Sequence, residues 1–230
     1  MAKQFTVNTT YFLQEGRDNL LRTMRMSFHA ALGHKIEKVV IFTARGDGVK
    51  LAVDEFLTRP EYEHMKVIGV TFPIGKTFTG KDKKEFKVEI PTDLDEYFRN
   101  RRPVPIPIVR AHLPFDPISS PYPKGGALAQ SLSLVGDALN MFGGGMSLCV
   151  QAVLLACDGG HVRLGEHVVS LASDCAILAQ ATSTRRMLEE LIIREIICKP
   201  AILSITRGEK SETALPERPH RKALAPKKTD

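Results

Sequence analysis

Four groups of residues in this 230-residue chain have types and spacing suited to chemistry. The first is Thr43-Ala44-Arg45-Gly46-Asp47-Gly48, between a β-branched run and an apolar helical stretch. Glycines there let the backbone turn with positive φ and approach a ligand closely. The helix that follows offers free N–H groups and a partial positive charge to an anion. Thr43 can donate a hydroxyl hydrogen bond, and Arg45 can grip a phosphate bidentately. The loop lacks the GK[ST] ending of a Walker A motif and is not GxGxxG. Asp47 would repel an anion unless it points away or caps the helix. Phosphate binding and a plain strand-to-helix turn are both open from these residues alone.

The second group is Thr71 at the end of the next apolar run. The third is Arg110-Ala111-His112, where alternation puts Arg110 and His112 on one face of a strand end. The pair suits a phosphate or a carboxylate, and an ordinary polar edge is the alternative. The fourth is Asp158, before Gly159-Gly160, either a turn cap or a partner to Arg110 and His112 in an enzyme of unknown reaction. His161, Glu166 and His167 fit no standard metal-ligand spacing, so no metal is expected. Cys149, Cys157, Cys175 and Cys198 lie in apolar contexts without a CxxC pair and read as buried free thiols. Cys198 would need a lowered pKa to act as a nucleophile, and its neighbours argue against that.

These residues must be positioned by an alternation of helices and strands. Arg17–Leu32 carries a helical stripe, with Asp18 or Asn19 as cap and Gly33 as stop. Lys38–Thr43 and Lys66–Phe72 read as buried parallel strands, with a helix over Val49–Leu57 between them. Pro73–Glu89, with five lysines, is expected to be a mobile loop. Thr92–Arg101 is a short helix with Thr92 as N-cap. Prolines at 103, 105 and 107 push the start of the third strand to about Ile108. A second loop spans Pro114–Gly126, and helices follow over Ala127–Phe142 and Met146–Cys157. Met146–Cys157 is apolar on all sides apart from Ser147 and Gln151, so it belongs in a core, and it is too short to span a bilayer, where about 20 residues are needed. Strands over Glu166–Leu171 and Ala176–Ala181, a helix over Thr184–Leu191 and a strand over Ile192–Cys198 complete the pattern. The fold class expected is α/β, as one domain over residues 1–205.

The net charge of +6 is half located in residues 207–230, which hold seven Lys or Arg and four Asp or Glu. Residues 206–230 are expected to be a basic, disordered tail. No aromatic residue is interleaved in it, so a nucleic-acid or acidic partner held by the tail is the lesser reading. The N-terminus lacks a signal-peptide core, which points to a cytoplasmic location, and no membrane partner is expected.

Leu139–Gly160, LNMFGGGMSLCVQAVLLACDGG, resembles the signature of a family of uncharacterised proteins related in fold to the C-terminal domain of pyruvate kinase. Tyr11-Phe12 with Gly16-Arg17-Asp18-Asn19, Val39–Gly48, Ile90-Pro91, Ile108–His112 and Glu195–Pro200 agree in order and spacing, over roughly residues 8–200. The resemblance implies a three-layer α/β/α sandwich, mostly parallel, with a late antiparallel strand. It also implies that the Thr43–Gly48 loop binds a phosphorylated small molecule, to which Thr71 and Arg110 at the neighbouring strand ends are added from their own residue types. Flavin mononucleotide (FMN) or another nucleotide is the candidate cofactor class, and a homo-oligomer is compatible with it. The chain is too short for a complete pyruvate kinase, whose catalytic barrel alone takes about 250 residues. It departs from its relatives where they carry a turn close to GGTGRGAD. Here the chain reads Ser170-Leu171-Ala172-Ser173-Asp174, and Gln151 stands where the family commonly has Glu. Those departures imply a different ligand, a weaker one or none.

Overall fold

The computed structural model describes residues 4, 6–79, 83–116 and 127–203, without the side chains of 127–131. The expected loop over Pro114–Gly126 lies partly outside these residues, and the expected tail over 206–230 wholly so. Strands β1 (Thr10–Phe12), β2 (Lys38–Phe42), β3 (Lys66–Thr71), β6 (Ile108–Arg110), β7 (His167–Leu171), β8 (Ala176–Gln180) and β9 (Ile192–Pro200) form one sheet in the order β1-β9-β8-β7-β2-β3-β6. Strands β4 (Thr77–Thr79) and β5 (Glu85–Lys87) form a separate hairpin. The main sheet is mostly parallel; β8 runs antiparallel to both its neighbours, β7 and β9.

The helices are α1 (Leu20–Gly33), α2 (Asp47–Glu55), α3 (Thr92–Asn100), α4 (Ala127–Asn140), α5 (Gly144–Asp158) and α6 (Met187–Glu190). Alternate residues of β2 show how they are layered. Val39 and Ile41 pack with Met24 and Phe28 of α1, Val49 of α2 and Phe98 of α3. Val40 and Phe42 pack with Val150, Val153 and Leu154 of α5. A strand covered on both faces needs an unbroken apolar run, which is what Lys38–Phe42 supplies after its first residue. Helix α5 is buried on nearly every side, as its composition requires. Gly69 in β3 is a packing requirement: a side chain there would meet Ile108 Cδ1 at 2.5 Å and Val49 Cγ2 at 3.0 Å.

Three local expectations are corrected, and one strand is added. The lysine-rich segment after β3 is not merely a loop, because Phe78 and Phe86 pair across the β4–β5 hairpin. Thr92 does not cap α3; Pro91 takes that position, with an extended backbone and no side-chain cap bond. Neither Asp18 nor Asn19 caps α1 through its side chain. A short 3-10 turn over Arg17–Asn19 leads into that helix, and the Asn19 amide donates back to the Gln14 carbonyl at 2.8 Å. Strand β1 was not expected, since three residues carry no periodicity; it is fixed by parallel pairing with Cys198–Pro200.

Candidate functional site

Strands β2 and β7 are adjacent and parallel, yet the chain leaves β2 for β3 on one side and β7 for β8 on the other. That is a switch point, where open α/β sheets bind ligands outside the strand carboxyl ends. Thr43–Gly48 and Ala172–Asp174 lie there, with the first turn of α2 on one face of the sheet. The Gly143–Gly145 start of α5 lies on the other.

Within the loop, the Thr43 hydroxyl is fully occupied. Its oxygen accepts from the Gly46 N–H at 3.0 Å and the Gly48 N–H at 3.3 Å, and it donates to Asp47 Oδ1 at 3.2 Å. A hydroxyl has one proton to give, so Thr43 shapes the helix start and is not free to donate to a ligand. Gly46 has φ of +86°. It is roofed by α3 and its approach, since a side chain there would meet Leu94 at 2.8 Å and Ile90 at 3.0 Å. Asp47 does not stand as a bare negative charge, because Arg17 pairs with it. Ala44 is half-buried, and its carbonyl accepts from the Thr71 hydroxyl at 3.3 Å. Arg45 is exposed and has no hydrogen bond or ion pair among the described residues.

Asp174, at the end of β7, is 5% exposed. Its Oδ2 accepts from the Gly16 N–H at 2.8 Å, while its Oδ1 is buried without a hydrogen-bond partner among the described residues. Gly145 backs directly onto that oxygen: a side chain there would come within 2.6 Å of it. Burial pushes the Asp174 carboxyl above the ordinary range, against the pull of the Gly16 N–H. The Asp174 carboxylate therefore holds the approach to α1 and lies against the start of α5.

The other candidates are distributed. Arg110 pairs with Asp95 of α3 at 2.5 Å. His112 lies beyond the end of β6, exposed, with its Nε2 at 2.9 Å from the Asp116 carbonyl. Asp158, the last residue of α5, accepts from the Thr184 N–H at 3.0 Å and the Thr184 hydroxyl at 2.5 Å. The three side chains thus engage three separate partners, and Asp158 sits on the α5 face while Arg110 reaches α3 on the opposite one.

Cys149, Cys175 and Cys198 are free and buried, and Cys157 is half-buried. Burial pushes the Cys198 thiol up to about 12 and raises Cys149 and Cys175 as well. None of these is a ready nucleophile. Glu166 accepts from the Arg163 N–H at 2.8 Å and the Lys38 ammonium at 2.9 Å. Among the described residues there is no group of three or more His, Cys, Asp or Glu placed to hold a metal ion. Nor is any described helix long and apolar enough to cross a membrane.

Sequence reading missed the two ties that organise this edge, Asp174 to Gly16 and Asp47 to Arg17. Gly16 and Asp174 are 158 positions apart, and no local pattern encodes such a contact. Compared with models of known protein families, the chain matches none.

Proposed function

We propose that this protein binds a phosphate-bearing small molecule, of the FMN or nucleotide class, at the carboxyl ends of β2, β3 and β7. The observation that carries the reading is Arg45. Among the described residues it stands unpaired, at the N-terminal end of α2 beside a sheet switch point, where a helix start and a guanidinium together favour an anion. The pairing of Asp47 with Arg17 reduces the repulsion that Asp47 would otherwise exert. Phe78 and Phe86, 39% and 49% exposed on the hairpin that follows β3, offer a surface on which a flat ring can stack. The resemblance to proteins related to the C-terminal domain of pyruvate kinase supports the same assignment. The buried free thiols suit a cytoplasmic, reducing setting.

The test is mass spectrometry of whatever heat releases from freshly purified protein, with a visible absorption spectrum taken first. A released flavin or nucleotide is the expected result. A colourless protein that releases nothing, and gains no thermal stability from FMN or nucleoside monophosphates, would overturn the reading.

A further inference from the structure

A cavity lies at the amino ends of the strands, away from the candidate site. It has a volume of about 200 Å³ and opens beside Lys38 and Lys66, the first residues of β2 and β3. Its walls include Leu57 and Met65, from the connection between α2 and β3, and Val104 and Ile106, from the proline-rich segment before β6. That segment is held in place: the Ile106 N–H donates to the Phe98 carbonyl at 2.9 Å. The Arg101 guanidinium donates to the Val104 carbonyl at 3.2 Å.

Among the described residues, the ionisable groups lining the cavity are Lys38, Lys66, Arg101 and His161, with no acidic side chain. Lys38 and Lys66 have carboxylate partners, Glu166 at 2.9 Å and Glu37 at 3.0 Å, both outside the lining. Arg101 has no carboxylate partner among the described residues, and the His161 ring has no hydrogen bond there. Apolar walls with cations and no acids select a ligand with an apolar body and one negative charge. The volume is below the roughly 300 Å³ at which drug-sized ligand sites begin, which limits the body to a single small ring or short branched chain.

We infer that this cavity is a binding site for a small amphiphilic carboxylate, with the apolar body against Met65 and Ile106 and the carboxylate on Arg101. It is independent of the phosphate site, since it sits at the amino ends of the strands.

Benzoate and its uncharged analogue benzyl alcohol, titrated into isotopically labelled protein and followed by amide chemical shifts, test this. Benzoate should saturate shifts at Met65, Val67 and Ile106, about tenfold more tightly than benzyl alcohol, the scale of one charge-assisted hydrogen bond. Arg101→Gln should remove most of that preference. Lys66→Gln, at an exposed side chain that leaves the fold intact, should reduce it by a smaller factor. Equal affinity for the two probes, shifts that map elsewhere, or no saturation would each overturn the inference.

Discussion

The Asp174 carboxylate holds the Gly16 backbone N–H at 2.8 Å, joining the β7–β8 turn to the entry of α1. The same carboxylate leaves Oδ1 buried against Gly145, without a hydrogen-bond partner among the described residues. The end of the sheet that carries the candidate site thus holds one buried, anchored acid.

Because burial raises the Asp174 pKa above its ordinary 3.8, the folded state takes up this proton before the unfolded chain does. Its contribution to stability is therefore greatest below the ordinary value and is lost as pH rises through the raised one. Asp174→Asn keeps an acceptor for Gly16 and removes the buried charge. It should match or exceed the parent in stability at pH 7 and flatten the pH dependence above the ordinary carboxylate value. Asp174→Ala, which orphans the Gly16 N–H, should cost about 1–2 kcal/mol. Urea unfolding at pH 4 and pH 7 reads both. A parent protein whose stability rises through this interval by Asp174 ionisation, with that rise absent in Asp174→Asn, would contradict the assignment.

Gly46→Ala should destabilise the protein by about 1–3 kcal/mol, from the left-handed backbone and the overpacking against Leu94 and Ile90. Gly33, at the end of α1, has open space around it. Gly33→Ala should be neutral or stabilise by up to about 1 kcal/mol. Thermal unfolding of the pair separates the two effects, and equal changes in the same direction would count against the described packing.

Gln151 is 2% exposed, with its Oε1 accepting from the Phe115 N–H at 2.8 Å and its Nε2 donating to Ser147 at 3.1 Å. Gln151→Glu places an acid in that apolar setting, where burial raises its pKa. The variant should lose about 2–4 kcal/mol at pH 7 and recover part of it as pH falls and the acid is protonated. A variant as stable as the parent at pH 7 would show that this helix is more open to water than described.

Alkylation of the native protein should label Cys157 first and leave Cys149, Cys175 and Cys198 until the protein is unfolded. The first is half-buried and the others are enclosed, with their thiols pushed up. Peptide mapping after a short exposure at pH 8 gives the order. Early labelling of Cys198 would contradict the packing of β9.

The layers were legible where one residue pattern demanded one environment. The β-branched run Lys38–Thr43 reads as a buried strand and Met146–Cys157 as a core helix, and β2 and α5 lie there, packed in the core. What escaped was set by tertiary contact. Strand β1 exists because β9 supplies its partner. The hairpin at Phe78 and Phe86 was hidden by its lysines. At the candidate site the sequence located the Thr43–Gly48 loop and picked out Arg45. It could not show that the Thr43 hydroxyl turns inward to hold Gly46 and Gly48, nor that Arg17 shields Asp47.

The central claim is phosphate recognition by Arg45, and it is tested most directly by calorimetric titration of wild type and Arg45→Ala. The ligands are FMN, AMP and GMP, each against its unphosphorylated counterpart. Arg45 is exposed and unpaired among the described residues, so its removal should change stability by less than about 0.5 kcal/mol. The account predicts that at least one phosphorylated ligand binds about tenfold or more tightly than its counterpart, and that Arg45→Ala abolishes the difference. Binding that ignores the phosphate, binding unaffected by Arg45→Ala, or no binding by any of the three would contradict it.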